Sequence, residues 1–253
     1  MMKILAIGNS FSQDAIRYLY DIAKAGGAEI KAVNLCIGGC SLEMHWNNIT
    51  DDSALYGYEL NGEGTGHRVA IKEALMEEAW DYVTMQQVSG NSGILDSFYP
   101  YIGNISEYVT QYAPSAEQLL HQTWAYEVDS DHPDFIKYNN NQEKMHEAIT
   151  EAYRSLAEEF SFRVIPSGRV IQELRSYPEF DYANGGTSLC RDGFHMSLDY
   201  GRYAVAATWF EHILQGDITE NDFIPNDINI KEKADISKLK LIKEVVHRSR
   251  EPW

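Results

Sequence analysis

Lys3-Ile4-Leu5-Ala6-Ile7-Gly8-Asn9-Ser10-Phe11-Ser12 is the stretch that sets the fold. Lys3–Ile7 is a short apolar run that stops at Gly8, the pattern of a strand buried on both faces. Gly8 and Asn9 cut the run too early for a secretion signal, so no export signal is expected in the chain as given and the expected location is cytoplasmic. Asp14–Ala25 follows with Ile16, Leu19, Tyr20 and Ala23 at helical spacing, and Gly26-Gly27 ends it. Strand, glycine turn and helix together open a βα unit.

The same alternation continues outward. Ile30–Leu35, Tyr82–Met85, Gln118–His121 and Arg163–Ile165 read as further strands. Val69–Ala79, Phe98–Tyr112, Asn141–Phe160 and Ser197–Leu214 read as helices. Each return between parallel strands needs a right-handed crossover, so the expected fold is an α/β, three-layer α/β/α sandwich on a five-stranded parallel sheet, flavodoxin-like in plan. Loops beyond the strand C-terminal ends should then hold the site. Met44–His67 breaks the pattern. Its Asn61-Gly62-Glu63-Gly64 turn signal predicts a hairpin near that face. Thr123–Asn140 is a second long irregular stretch, polar and aromatic. Residues 1–215 are expected to form one domain. Residues 216–253 form a charged extension whose helix, Ile236–Arg248, packs on the domain or on a partner subunit through Leu239, Ile242, Val245 and Val246.

Composition narrows the function. The 253 residues carry 21 Lys+Arg against 38 Asp+Glu, a formal net charge of −17. Nucleic acid is disfavoured as a partner, because phosphate binding needs a basic surface. No apolar run approaches the ~18 residues of a membrane span, so no membrane partner is expected. Cys36, Cys40 and Cys190 are too few and too irregularly spaced for a disulfide framework, and they read as buried small side chains.

Three short motifs carry chemistry. Ser10 lies between the first strand and the first helix, where a helix N-terminus and free backbone N–H groups stabilise an alkoxide or oxyanion. A plain helix cap at Ser10 or Ser12 is the structural alternative. Asp192-Gly193-Phe194-His195 precedes the last helix of the domain. A carboxylate three residues before a histidine can hold Nδ1–H, leaving Nε2 to accept a serine proton. Asn34-Leu35-Cys36-Ile37-Gly38-Gly39 follows the second strand, and its glycines let a backbone N–H approach a ligand.

In these motifs the chain resembles the SGNH (GDSL-type) hydrolase superfamily, and more narrowly its bacterial DUF4886 proteins, from Lys3 to about Gln215. GNSFS stands at the nucleophile block and DGFH at the last block. The resemblance implies a serine esterase with catalytic residues Ser10, Asp192 and His195, and with an oxyanion hole from Ser10, Gly39 and a third donor. Two departures stand out. Asn9 replaces the aspartate of the usual GDS opening. The third block, usually GxND, reads Met85-Gln86-Gln87-Val88-Ser89-Gly90-Asn91. Gln87 is the first choice for the third donor, with Gln86 and Asn91 as alternatives.

The expected substrate is a small-molecule or carbohydrate ester, probed by loop aromatics such as Trp46, Trp124 and Tyr126, which can stack on sugar faces or form local core. Short acyl groups are favoured, and no metal or organic cofactor is expected. The rival from another class is a catalytically silent binding domain that keeps the fold. A metal hydrolase is disfavoured, because His45, His67, His121, His132 and His146 lack paired ligand spacing.

Overall fold

β1 (Met2–Gly8) is the central strand, and Ile4 to Ile7 are buried without a break. The computed structural model describes residues 1–230 and 232–250. The other strands are β2 (Ile30–Cys36), β3 (Tyr56–Leu60), β4 (Glu63–Val69), β5 (Tyr82–Met85), β6 (Glu117–His121) and β7 (Arg163–Ile165). Their order in the sheet is β4-β3-β2-β1-β5-β6-β7. β2, β1, β5, β6 and β7 run parallel, with chain order reversing beside β1. A crevice opens at such a reversal, outside the strand C-terminal ends.

The sheet therefore has seven strands among the described residues, not the expected five. β3 and β4 form an antiparallel hairpin that extends the β2 edge. Its two-residue turn, Asn61-Gly62, has both residues at positive φ (53° and 83°), as a type I′ turn requires. A Cβ on Gly62 would come within 2.5 Å of the Arg17 carbonyl oxygen. β4 is exposed from Glu63 to Arg68, so it lacks the apolar pattern that marks a buried strand.

The helices are α1 (Ser10–Ile16), α2 (Leu19–Ala25), α3 (Leu42–Thr50), α4 (Ile71–Glu77), α5 (Tyr101–Tyr112), α6 (Gln142–Phe160), α7 (Ser167–Leu174), α8 (Tyr200–Trp209) and α9 (Ile236–Arg248). α3, α4 and α5 pack on one another, and α1 and α7 both pack on α8, in keeping with layers on either side of the sheet. The first helical segment starts earlier than its apolar spacing suggests and is broken at Arg17-Tyr18. The early start comes from a capping box: Asn9 Oδ1 accepts the Phe11 N–H, and Ser12 Oγ accepts the Asn9 N–H. α3 lies in the stretch read as irregular, with Ser41 as its cap.

α9 lies against α8 and α7, burying Leu239, Ile242, Val245 and Val246. Each such side chain contributes about 1.5–3 kcal/mol relative to exposure. Beneath it the buried Glu211 accepts the Ile218 N–H at 2.8 Å and the His247 Nδ1–H at 3.1 Å, and pairs with Arg250. Among the described residues, no helix is long and apolar enough to cross a membrane.

Candidate active site

Asn9 organises the exit of β1. Only 1% exposed, it uses its whole side chain. Oδ1 accepts from the Phe11 N–H at 3.0 Å and from Gln86 Nε2 at 2.8 Å, and Nδ2 donates to the Cys40 carbonyl at 3.0 Å. One residue thereby ties together the loops after β1, β2 and β5. Gly8 permits the tight turn, since a Cβ there would lie 2.1 Å from Ser12 Oγ. Ser10 is consequently held at the first position of α1, half-buried, at the carboxyl edge of the central strand.

A buried relay continues across the sheet. The Phe11 N–H fixes Asn9 Oδ1 as an acceptor, so Gln86 donates to it through Nε2 and presents Oε1 on its other side. Gln86 Oε1 lies 2.6 Å from His121 Nδ1, and His121 Nε2 lies 3.0 Å from Ser167 Oγ. His121 Nδ1 therefore donates and Nε2 accepts. Burial lowers His121 to about 3, so the ring is neutral.

The other half of the site is the turn 190–196. Cys190 and Met196 bridge antiparallel, and the Arg191 N–H donates to the His195 carbonyl at 2.9 Å. Gly193 sits at φ +85°, which favours glycine. Asp192 Oδ1 accepts the His195 and Phe194 N–H groups at 2.8 and 3.3 Å. Asp192 Oδ2 lies 2.7 Å from His195 Nδ1, and His195 Nε2 lies 2.9 Å from Ser10 Oγ. With Nδ1 donating to a carboxylate, Nε2 is the lone-pair nitrogen facing the serine hydroxyl. Partial burial alone would raise the Asp192 carboxyl. Hydrogen bonds from the His195 ring and from the two N–H groups, with attraction to the ring, outweigh it and hold the carboxyl below its usual range.

Aromatic rings steady this arrangement. Phe11 stacks on Trp124 at 4.2 Å, and Trp124 Nε1–H donates to the Phe194 carbonyl at 2.7 Å. The Phe194 ring is 4.1 Å from that of His195 and 4.7 Å from that of His132. His132 gave no sequence signal beyond its type, since only folding brings it beside Phe194. A polar cavity of about 300 Å³, lined in part by Asp129, Asp131, Tyr182 and Asp192, opens behind the Asp192 carboxylate.

Ser10, Asp192, His195 and the Gly39 loop thus meet at one edge of the sheet. Among the described residues, the Ser10 and Gly39 N–H groups have no intramolecular hydrogen bond. Gly39 is at φ +67°, with nothing within 4 Å of where a Cβ would be.

The other expected site residues have partners of their own. Gln87 is turned away: Oε1 accepts the Leu42 and Val88 N–H groups, and Nε2 donates to Ser97 O and Oγ at 2.9 and 3.2 Å. Gln86 is committed to Asn9 and His121. Asn91 Oδ1 accepts from Lys137 Nζ at 2.8 Å. Trp124 and Tyr126 are wholly buried, so neither offers a face to a sugar, and both belong to the core beneath the site. Trp46 is half-buried on α3 and packs at the core edge.

A family model described as a domain of unknown function, DUF4886, matches residues 3–241. The crystal structure of a DUF4886 family protein from Bacteroides uniformis is similar over 98% of this chain and 94% of that one, at 37% identity and a TM-score of 0.89. A protein from Slackia heliotrinireducens, provisionally named an SGNH hydrolase, covers 84% of this chain and 98% of its own at 23% identity, with a TM-score of 0.56. An acetyl xylan esterase covers 84% of this chain and 100% of its own at 16% identity, with a TM-score of 0.58. The last two are likenesses of fold. No curated protein matches the chain.

Proposed function

The chain belongs to the DUF4886 family and has an SGNH-like α/β fold, and from that premise we propose that it is a serine esterase acting through Ser10, His195 and Asp192. One observation carries the reading: an unbroken line of hydrogen-bond distances, 2.9 Å from Ser10 Oγ to His195 Nε2 and 2.7 Å from His195 Nδ1 to Asp192 Oδ2. His195 Nε2 takes the hydroxyl proton as Ser10 Oγ bonds to the ester carbonyl carbon. Asp192 holds the ring in the right tautomer and stabilises the imidazolium. The carbonyl electron pair moves onto oxygen, where the N–H groups of Ser10 and Gly39 receive it. Collapse breaks the bond to the alcohol oxygen, which leaves with the proton from His195. Water then attacks the acyl-Ser10 ester by the same route, giving the carboxylic acid and free enzyme. The route uses no metal or organic cofactor.

The substrate we favour is a short acyl ester, such as acetyl, on a carbohydrate or another small uncharged alcohol. Half-buried Phe194 and His132 beside the His195 ring supply apolar contact, and exposed Asp129 and Asp131 near Asp192 disfavour anionic esters. The oxyanion hole has two backbone donors in this reading, with no side chain as the third.

The test pairs a fluorophosphonate probe with p-nitrophenyl acetate and a panel of acetylated sugars. Wild-type protein is expected to label and turn over, and Ser10→Ala to do neither. Folded wild-type protein that neither labels nor turns over any ester would favour the rival reading, a silent binding domain.

A further inference from the structure

Asp14 lies one helical turn beyond Ser10 on α1 and is wholly buried. A carboxylate in that position persists only when it is paired and fully hydrogen-bonded. Two of its partners, Arg191 and Met196, are on the other half of the site, and the third, Arg202, is on α8. Arg191 Nη1 donates to Oδ1 and Oδ2 at 2.9 and 3.0 Å, the Met196 N–H donates to Oδ2 at 2.9 Å, and Arg202 Nε donates to Oδ1 at 2.7 Å. The Arg191 guanidinium also donates to the Met196 carbonyl. Arg191 and Met196 are the two sides of the neck whose tip carries Asp192 and His195. The helix that starts with Ser10 therefore grips the turn that carries His195, and the grip is a buried, charge-assisted one.

We propose that Asp14 is a positioning residue that holds His195 Nε2 against Ser10 Oγ. Ser10 and His195 are 185 residues apart and approach across two separate loops, so their 2.9 Å contact needs a mechanical reference between those loops. Asp14 is that reference. It touches neither the reacting hydroxyl nor the ring, and its charge is balanced by two arginines, so its effect is on geometry rather than on the field at the imidazole. Displacing a reacting pair by about 1 Å costs on the order of 10²-fold in rate.

This inference rests on the serine-esterase reading. Asp14→Asn keeps the size of the side chain but replaces one acceptor oxygen with a donor. Arg191→Met removes the same link from the loop side, where the partner is partly exposed. Each variant is assayed for kcat and KM on p-nitrophenyl acetate, for the rate constant of fluorophosphonate labelling, and for thermal unfolding. Asp14→Asn is expected to lower kcat and the labelling rate constant by about 10²-fold with little change in KM. Arg191→Met should move both in the same direction, and the double variant should be no slower than Asp14→Asn alone. Wild-type rates in a folded Asp14→Asn protein would overturn the proposal, as would an Asp14→Asn protein that fails to fold alongside an Arg191→Met protein with wild-type rates. Slow labelling by folded Arg191→Met supports it even if Asp14→Asn does not fold. An inactive wild type sinks the esterase reading and this inference together, whereas an active wild type with unaffected variants sinks this inference alone.

Discussion

Gln86 Nε2 donates to Asn9 Oδ1 at 2.8 Å, joining the exit of β5 to the cap in front of Ser10. Gln86, one of the alternatives to Gln87 as a third oxyanion donor, instead supports the Ser10 loop from behind. Its other atom faces His121, so Gln86→Leu breaks two buried contacts at once and leaves the His121 Nδ1–H without an acceptor. Each stranded group costs about 1–3 kcal/mol. The expected result is a loss of a few kcal/mol in urea unfolding together with slower turnover. Unchanged stability would mean that Gln86 does not hold Asn9.

Asp192→Asn keeps the shape of the turn but lets the side chain donate to Nδ1, which favours the wrong tautomer of His195. The loss in kcat is expected to be on the order of 10³–10⁴-fold, with KM nearly unchanged. Steady-state kinetics on p-nitrophenyl acetate read this directly. A loss below tenfold would remove Asp192 from the mechanism.

Asn9→Asp tests the departure from the usual opening of the nucleophile block. Aspartate can still accept from the Phe11 N–H and from Gln86, but it loses the donor that reaches the Cys40 carbonyl and places a charge at a site 1% exposed. The helix N-terminus offsets part of that charge. The expected outcome is a stability loss of about 1–3 kcal/mol in urea unfolding. A variant as stable as wild type would show that Cys40 needs no donor from this loop.

The parts of this molecule that could be read in the sequence are those whose signal is local. The apolar run ending at Gly8 gave β1, and Asp192 three residues before His195 gave a carboxylate and a ring within reach of one another. β3 and β4 stayed hidden apart from their Asn61-Gly62 turn, because β4 buries almost nothing and so has no alternation to detect. α7 is only eight residues long, too short for its periodicity to stand out. The direction in which an amide side chain donates depends on partners distant along the chain: Gln86 points to Asn9, 77 residues away. Nothing in the neighbourhood of Gln86 or Gln87 reveals that.

Trp124 could be read from its loop either as a ring that stacks on a sugar or as local core, and the loop folds inward so that the ring is core. Trp124→Phe removes the hydrogen bond to the Phe194 carbonyl and part of the stack with Phe11. Stability should fall by about 1–3 kcal/mol while KM for sugar esters stays within a few-fold of wild type. A large, selective rise in KM for sugar esters over p-nitrophenyl acetate would restore Trp124 as a substrate contact.

His45 gives a pH signature that is separate from catalysis. It is wholly buried on α3, with Nδ1 at 2.8 Å from the Tyr56 hydroxyl and Nε2 without a hydrogen-bond partner among the described residues. Burial lowers its pKa to about 3, against about 6.5 in an unfolded chain. Below about 6.5 the unfolded chain binds a proton that the folded protein refuses. The neutral ring's contribution is therefore intact above that value and is lost as pH falls toward 3, at about 1.4 kcal/mol per pH unit. His45→Leu removes this proton linkage, while Tyr56 keeps its hydrogen bond from Asn48. Urea unfolding between pH 6 and pH 4 should show a dependence on pH shallower than wild type by about 1.4 kcal/mol per unit. Equal slopes for the two proteins would mean that the ring takes up its proton in the folded state.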